Sequence, residues 1–291
     1  MDRLASYKVR RENILVGGRL YELLLPADPD ALLDDPGVRA RFERDEYMPY
    51  WATLWPGAIL LADFIAGQWP AQQQPLAAPV SDPLLLHVSQ FSSAVPGNEQ
   101  SANGLPRPVT PPFLEGKLTA GSAEAGGSAP AAGRQAPLEG DGPILELGCG
   151  VGLVGLVAAS RGYRVVLTDY DEDALRFAAE NARLNGLTNV ATRMIDWRRL
   201  YDDLRLERIL AADVLYESRN LEPLARFIER HLMPGGMALV CDANRSTADP
   251  FGDVARRIGL EVRVQPVCGI TGGTGLPISG RIYHVHKRDI S

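Results

Sequence analysis

The sequence has few cysteines, no excess of positive charge and no apolar run long enough to cross a membrane. The net charge is -6, whereas a protein that binds nucleic acid without sequence preference normally presents a basic face. The longest apolar run, Ala58 to Ala66, is about nine residues long and contains Asp63, while a membrane span needs roughly 20 residues. We therefore expect neither a nucleic-acid partner nor a membrane partner.

The three cysteines, Cys149, Cys241 and Cys268, lie far apart in the 291 residues. No CxxC pair or Cys/His cluster accompanies them, so no metal site is predicted. Scattered thiols fit a reducing compartment better than a disulfide framework. The composition, 45% hydrophobic and 23% charged, is typical of a globular protein with a core. We expect a cytoplasmic monomer.

Residues 71–140 differ in composition from the rest of the chain. They hold ten of the 22 prolines and few charges, with runs such as AQQQP, TPP and GSAEAGGSAPAAG. A segment of this kind buries too little apolar surface to offset its ordering entropy, so a disordered, low-complexity insert is predicted. It separates an N-terminal segment, residues 1–70, from a main domain over residues 141–291.

Strands and helices alternate after the insert. Apolar strands are predicted at PILELGC, YRVVLTD, VATRMID, RILAADVLY and MALVCDA, and two last strands, LEVRVQPV and RIYHVHK, flank GITGGTGLPISG. This order predicts an α/β fold with a Rossmann-like, doubly wound, mostly parallel seven-stranded sheet and a C-terminal antiparallel hairpin. Before the insert, ENILVGGRLYELLLP predicts a β-hairpin, and Pro56 begins a helix that Gly67 can end.

The segment LELGCGVGLVG follows the first strand of this alternation. Gly148, Gly150 and Gly152 alternate and Gly155 follows, so the backbone can turn tightly and a ligand can approach it. The last three glycines spell GxGxxG, and Asp169 lies 19 residues after Gly150, which is nearly the dinucleotide fingerprint. On the glycines alone, an NAD enzyme and other nucleoside-binding proteins are both open.

Four polar or aromatic positions at strand ends favour a ligand other than NAD. Glu146 precedes the glycines, where a carboxylate suits a positive group and is badly placed for a pyrophosphate. Asp169 ends the second strand of the alternation, where its carboxylate can accept both hydroxyls of a ribose. Asp196 and Trp197 follow the third strand and offer an acceptor for an exocyclic amine and a plane for stacking. Ligands bind at this end of such sheets.

Five pieces in order, ELGCGVG, LTD, IDW, DVLY and LMPGGMALV, resemble the class I S-adenosylmethionine-dependent methyltransferases over about residues 141–245. The resemblance implies S-adenosylmethionine as cofactor. In that family the Glu-x-Gly-x-Gly-x-Gly segment lies against the methionine part, the acid matching Asp169 binds the ribose, and the pair matching Asp196 and Trp197 meets the adenine. The implied cofactor-binding residues are Trp55, Glu146, Gly148, Gly150, Gly152, Asp169, Asp196 and Trp197.

The DVLY step, Asp213 to Tyr216, and the Trp55-Pro56-Gly57 step resemble the seven-strand protein lysine methyltransferases. That group includes the lysine methyltransferase of the electron-transfer flavoprotein beta subunit. The resemblance implies in-line methyl transfer to a protein lysine, with Asp213 holding the incoming ammonium and Tyr216 orienting the amine as catalytic residues. Bacterial chains with this pattern are also compared with nicotinamide N-methyltransferases, so a small-molecule amine or pyridine is the alternative acceptor.

Aromatic residues cluster in PYWATLWPG, ahead of the predicted N-terminal helix. By resemblance, Trp55 should lie over the methionine end of the cofactor, close to the glycine loop. Tyr50 and Trp51 should bind the substrate at the acceptor mouth, where a cation can meet an aromatic face. Simple packing is the competing interpretation for both tryptophans. The intact motifs disfavour a non-catalytic cofactor-binding protein and an NAD oxidoreductase.

Overall fold

The computed structural model describes residues 3–69, 71, 142–271 and 275–288. The predicted insert at 71–140 lies outside this range except for Ala71, as do residues 272–274 of the predicted hairpin loop. The strands are β1 Val9–Val16, β2 Arg19–Pro26, β3 Ile144–Leu147, β4 Val165–Asp169, β5 Val190–Met194, β6 Leu206–Ala212, β7 Leu232–Asp242, β8 Glu261–Ile270 and β9 Pro277–His286. The α-helices are α1 Pro36–Asp45, α2 Pro56–Gln68, α3 Leu153–Ser160, α4 Glu172–Leu184, α5 Leu221–His231 and α6 Phe251–Arg257.

Seven strands form one sheet in the order β5-β4-β3-β6-β7-β9-β8. Neighbours pair in parallel except β9, which is antiparallel to both β7 and β8. The predicted doubly wound sheet with a C-terminal antiparallel hairpin is therefore confirmed. The chain leaves β3 towards β4 and β5 and then returns to β6 on the other side of β3. The strand order thus reverses between β3 and β6, and ligands bind sheets of this type at the carboxyl ends of such strands.

The central strands are apolar on both faces because helices cover both sides of the sheet. All four residues of β3 and all five of β4 are buried. Helix α4 follows β4 and begins at an Asp171 N-cap whose carboxylate accepts the N–H groups of Asp173 and Ala174. Such a cap satisfies two of the free donors at a helix start. It fixes the direction in which the chain leaves the end of β4.

The N-terminal hairpin, β1 and β2, packs on α4 through an asparagine. The Asn181 side chain accepts the N–H of Leu24 at 2.7 Å and donates to the Leu24 carbonyl at 3.2 Å. The same amide nitrogen donates to the carbonyl of Val151 at 2.9 Å. Asn181 therefore ties the hairpin to the loop after β3.

Two N-terminal helices differ from the sequence prediction. Helix α1 is absent from that prediction, although Asp35 caps it and Pro36 occupies its first position. Helix α2 continues through Gly67 to Gln68, and the Trp69 N–H donates to the carbonyl of Ile65. Gly67 therefore does not end the helix, which extends one residue beyond it. No helix among the described residues has the length and apolar character needed to cross a membrane.

Candidate functional site

A cavity of about 250 Å³ lies at the carboxyl ends of β3, β4 and β6, beside the point where the strand order reverses. We call it the main cavity. Most of the residues that the sequence predicts for the site line it. They are Tyr50, Trp51, Trp55, Glu146, Gly148, Gly150, Asp169, Trp197, Asp213 and Tyr216. Gly152 and Asp196 are not among its lining residues.

The loop after β3 needs glycine at two of its cavity-lining positions. Gly148 has φ +62° and Gly150 has φ +52°, both in the left-handed region that favours glycine. A Cβ on Gly148 would lie 2.8 Å from Val214 Cγ1 and 3.2 Å from Trp197 Cζ3. The loop can therefore lie close against the two segments that follow β5 and β6.

Gly152 serves packing between helices. It is the N-cap of α3 with φ +92°, and a Cβ there would lie 3.2 Å from both Ala178 Cβ and Leu167 Cδ1. The glycine lets the start of α3 approach α4 closely. The cofactor contact that the resemblance implies for Gly152 stays a prediction.

Two buried carboxylates form the floor of the main cavity. Glu146 Oε2 accepts the N–H of Gly155 at 2.8 Å, and burial raises the pKa of Glu146 to about 8. Asp169 accepts the N–H of Gly150 at 3.1 Å and that of Asp171 at 3.0 Å through different oxygens, and burial raises its pKa to about 7. Burial disfavours the charged form of both groups. A cation or a set of hydroxyl donors in the cavity would offset that cost.

An aromatic wall faces the glycine loop. It comes from a short 3-10 helix, Tyr50–Ala52, and from Trp55, the residue before α2. Trp55 Nε1 donates to the Tyr50 carbonyl at 2.7 Å, and the Tyr50 ring lies 4.6 Å from the Tyr216 ring. A Cβ on Gly150 would lie 3.4 Å from the Trp51 carbonyl oxygen. The fold thus brings Trp55 and the glycine loop to one cavity.

Trp51 also packs in the core. Its ring lies 5.3 Å from that of Phe177, and its Nε1 donates to the Tyr47 hydroxyl at 3.1 Å. The Tyr47 hydroxyl in turn donates to Asp171. Trp51 therefore combines simple packing with a place in the cavity wall.

Asp196 lies in a smaller pocket beside the main cavity, which we call the side pocket. The side pocket has a volume of about 40 Å³ and shares Tyr50, Tyr170 and Trp197 with the main cavity. Both oxygens of Asp196 accept from Arg198, at 2.7 and 2.9 Å. Partial burial opposes ionisation, but the Arg198 contacts prevail and lower the pKa of Asp196. Its carboxylate is thus held by an arginine next to the cavity.

Trp197 lines both the main cavity and the side pocket, and its indole N–H has no hydrogen-bond partner. The residue is 9% exposed, and its Nε1 is buried without a hydrogen-bond partner. A buried donor of this kind is costly unless a ligand or water pairs with it. The indole is consistent with a place beside the aromatic part of a ligand.

Asp213 and Tyr216 follow β6 and line the main cavity. Asp213 Oδ1 accepts from Arg245, and Oδ2 accepts the N–H of Ala58 at 3.1 Å. Its carboxylate is thus paired with an arginine in this structure, and its role of holding an incoming ammonium stays a prediction. Burial raises the pKa of Tyr216 to about 12, so its hydroxyl stays neutral near pH 7.

Arg245 and Tyr170 are the unpredicted lining residues that bear a charged or a phenolic side chain. Arg245 follows β7 and Tyr170 follows β4, and both line the main cavity. The rule that ligands lie at the carboxyl ends of parallel strands applied to both positions. Neither residue belongs to a motif, so only their place after a strand could have pointed to them.

Residues 129–251 match the family model described as lysine methyltransferase. The matched range includes the glycine loop, the strand-end acids and the DVLY step. The chain contains a class I S-adenosylmethionine-dependent methyltransferase domain. The cofactor of this methyltransferase domain is S-adenosylmethionine.

Similar proteins match parts of the chain. The protein N-lysine methyltransferase METTL21A of Xenopus tropicalis is 38% identical over 78 residues, 25% of this chain and 36% of that protein. The histidine protein methyltransferase 1 homolog of Dictyostelium discoideum is 30% identical over 99 residues, 32% of each chain. A TehB-like methyltransferase structure from Corynebacterium glutamicum, with 20% identity and a TM-score of 0.40, covers 50% of this chain and 80% of that one. The chain spans less than half of the length of the curated relatives it matches.

The residues of the main cavity fit S-adenosylmethionine chemically. Glu146 is a buried carboxylate without a full set of donors, which suits a positively charged group. Asp169 uses one N–H bond per oxygen and keeps the capacity to accept two hydroxyls. The buried Nε1 of Trp197 has no hydrogen-bond partner and can donate to a ligand nitrogen. These side chains supply two acceptors and one donor of the kind that S-adenosylmethionine requires.

Proposed function

We propose that this chain transfers a methyl group from S-adenosylmethionine to the side-chain nitrogen of a lysine in a protein. One observation carries the proposal: a single cavity is lined by the glycine loop, by two buried carboxylates and by the aromatic wall. The family model of lysine methyltransferases over residues 129–251 supports it. In the reaction a C–S bond breaks, a C–N bond forms, and the amine loses one proton.

The cofactor side would use residues in distinct roles. Glu146 would face the positively charged methionine end, and Asp169 would accept the ribose hydroxyls. Trp197 would lie beside the adenine, with Asp196 and Arg198 forming a polar edge in the side pocket. Gly148 and Gly150 would let the cofactor approach the backbone. Bound S-adenosylmethionine would supply a methyl group that its sulfonium has already activated.

The acceptor side would bind the amine between aromatic rings. A lysine ammonium has an unperturbed pKa of about 10.4 and must lose its proton before it can accept a methyl group. Tyr50, Trp51 and Tyr216 offer an aromatic wall, with Trp55 beside them over the methionine end of the cofactor. Desolvation of the amine against this wall would favour its neutral form. Tyr216 would orient the amine through its neutral hydroxyl. Positioning of this kind contributes on the order of 7–11 kcal/mol to such reactions in good cases.

The proposal also covers the cellular compartment of the protein and the class of its methyl acceptor. The cysteines are free, Cys149 and Cys241 buried and Cys268 exposed, which supports a reducing cytoplasm. Protein methyltransferases stand among the similar proteins, and so do ubiquinone biosynthesis O-methyltransferases of Rickettsia, which are named for a small-molecule pathway. A small-molecule acceptor, an amine in the alternative proposal, is what the experiment must separate from a protein.

The experiment incubates the full chain with S-adenosylmethionine tritiated in the methyl group and with host lysate, either whole or dialysed. We expect label in protein in both lysates. Label confined to the small-molecule fraction of the whole lysate would replace the protein acceptor by the small amine. No transfer to either fraction would contradict methyl transfer itself.

Two variants tie the activity to the main cavity. We expect Asp213→Ala and Tyr216→Phe to lose methyl transfer and to keep calorimetric binding of S-adenosylmethionine. Asp253→Ala is the matched control, because Asp253 is an exposed acid paired with Arg256 on α6. Wild-type turnover in both cavity variants would remove Asp213 and Tyr216 from the catalytic site.

A further inference from the structure

Arg245 lies at a junction of three segments beside the main cavity. It follows β7, donates to Asp213 after β6 and to Asp242 Oδ2 at 3.1 Å. Its guanidinium carbon lies 5.5 Å from the centre of the Trp55 ring, within the range of a cation–π contact. One side chain thus contacts two strand ends and the aromatic wall.

Asp213 extends this junction to the start of α2. The N-cap residue of α2 is Trp55, whose own side chain makes no capping hydrogen bond. Asp213 supplies that function from a distant part of the sequence, because its Oδ2 accepts the Ala58 N–H at 3.1 Å. A Cβ on Gly57 would lie 2.5 Å from the same oxygen. A carboxylate at a helix N-terminus also interacts favourably with the helix dipole.

The charges of the junction depend on the arginine. The side chains of Asp213 and Asp242 are 4% and 0% exposed, and both are paired with Arg245. Removal of one partner from a buried ion pair leaves an uncompensated charge. Asp213 and Asn244 are also two of the three described non-glycine residues with positive φ, at +56° and +59°. Strained backbone of this kind persists only where its surroundings hold it and occurs often at functional sites.

We propose that Arg245 is a positioning residue of the methyltransferase domain: it holds the Asp213 carboxylate on the first turn of α2 and thereby fixes Trp55 in the wall of the main cavity. That this wall receives the acceptor rests on the proposed function. The positioning of Trp55 does not, and it can be measured without an acceptor.

The first test compares Arg245→Met, Arg245→Lys and Arg226→Met. Arg226 is the matched control because it pairs with Glu222 on the exposed face of α5. We expect the Ala58 amide of Arg245→Met to exchange with deuterium at least about tenfold faster than that of the wild type, since it loses the Asp213 carboxylate and keeps only the Trp55 carbonyl as acceptor. We expect Arg245→Lys to keep much of the protection and Arg226→Met to match the wild type. Wild-type exchange in Arg245→Met would overturn the proposal.

Tryptophan emission provides a signature of Trp55 itself. Arg245→Met should shift the emission to the red, and the same change made in a Trp55→Phe background should not. A shift that persists without Trp55 would contradict the assignment. If Arg245→Met does not fold, the double variant Arg245→Met/Asp213→Asn removes both charges and is measured in its place, with faster Ala58 exchange expected and wild-type exchange overturning the proposal.

Kinetics separate positioning from a purely structural role. With an acceptor that the wild type methylates, Arg245→Met should raise the KM for the acceptor about tenfold, and Arg245→Lys should recover part of the loss. An unchanged KM for the acceptor in Arg245→Met would contradict the proposal. If the wild type methylates nothing, the proposed function fails while the exchange and emission results still decide the role of Arg245.

Discussion

Asp169 ends β4 with one oxygen on the Gly150 N–H and the other on the Asp171 N–H. Asp169→Asn keeps the size of the side chain but removes its charge and replaces one acceptor by a donor. Hydrogen bonds to a charged group contribute about 1.5–3 kcal/mol, so we expect the Kd of S-adenosylmethionine to rise about 10- to 100-fold. Calorimetric titration measures this. Asp253→Asn, an exposed acid on α6, should bind as the wild type does, and equal affinity in both variants would contradict the assigned role.

Cofactor binding should depend on pH through the two buried carboxylates. Burial raises the pKa of Glu146 to about 8 and that of Asp169 to about 7, so both groups hold protons at about pH 6 in the free protein. A positively charged ligand favours the ionised forms, and binding therefore releases protons. Affinity should rise as the pH increases through these pKa values and level off roughly one pH unit above the higher one, that of Glu146.

Calorimetric titrations with S-adenosylmethionine in two buffers that differ in ionisation enthalpy give the number of protons released on binding. Glu146→Gln removes the group with the higher pKa, so its affinity should level off at a lower pH than that of the wild type. A wild-type affinity that falls with rising pH would show the opposite linkage and contradict the placement of the positive group beside Glu146.

At the scale of elements, Gly155 and Gly67 offer a matched pair of glycines inside helices. A Cβ on Gly155 of α3 would lie 2.2 Å from Leu167 Cδ2 and 2.6 Å from Glu146 Oε2, whereas one on Gly67 of α2 would meet nothing within 4 Å. We expect Gly155→Ala to lower the free energy of unfolding by about 1–3 kcal/mol through overpacking. Gly67→Ala should raise it by about 0.5–1 kcal/mol, because alanine favours the helix.

Urea unfolding of both variants measures the difference. Gly155→Ala should also weaken cofactor binding, since the added methyl group displaces the Glu146 carboxylate from its hydrogen bond. Equal stability of the two variants would show that α3 shifts freely from the sheet, which would contradict its packing role.

The elements of the sheet were predictable because their signals are local. Buried parallel strands such as β3 and β4 appear in the sequence as short apolar runs, and Asp171 marks the start of α4. Helix α1 was missed because it buries none of its residues, so no apolar period marks it. The end of α2 was misplaced because glycine is tolerated inside a helix as well as after one.

In the whole molecule, the residues of the site come together only through the tertiary fold. Trp55 could be assigned to the cavity only by resemblance, since nothing local indicates that α2 starts beside the loop after β3. The partners of the carboxylates were not predictable. Arg245 and Arg198 belong to no motif, so their contacts with Asp213 and Asp196 could not be read from the sequence. Charge pairing across separate strand ends depends on tertiary geometry.

In the proposed function the main cavity directs a methyl group to a lysine nitrogen. The most direct measurement is the chemical identity of the methylated residue. Host protein labelled by the wild-type chain with tritiated S-adenosylmethionine is hydrolysed, and its amino acids are separated. We predict that the label elutes as N-methylated lysine and that the Asp169→Asn reaction yields much less of it. Label in methylated histidine or arginine, or no labelled amino acid at all, would contradict the account.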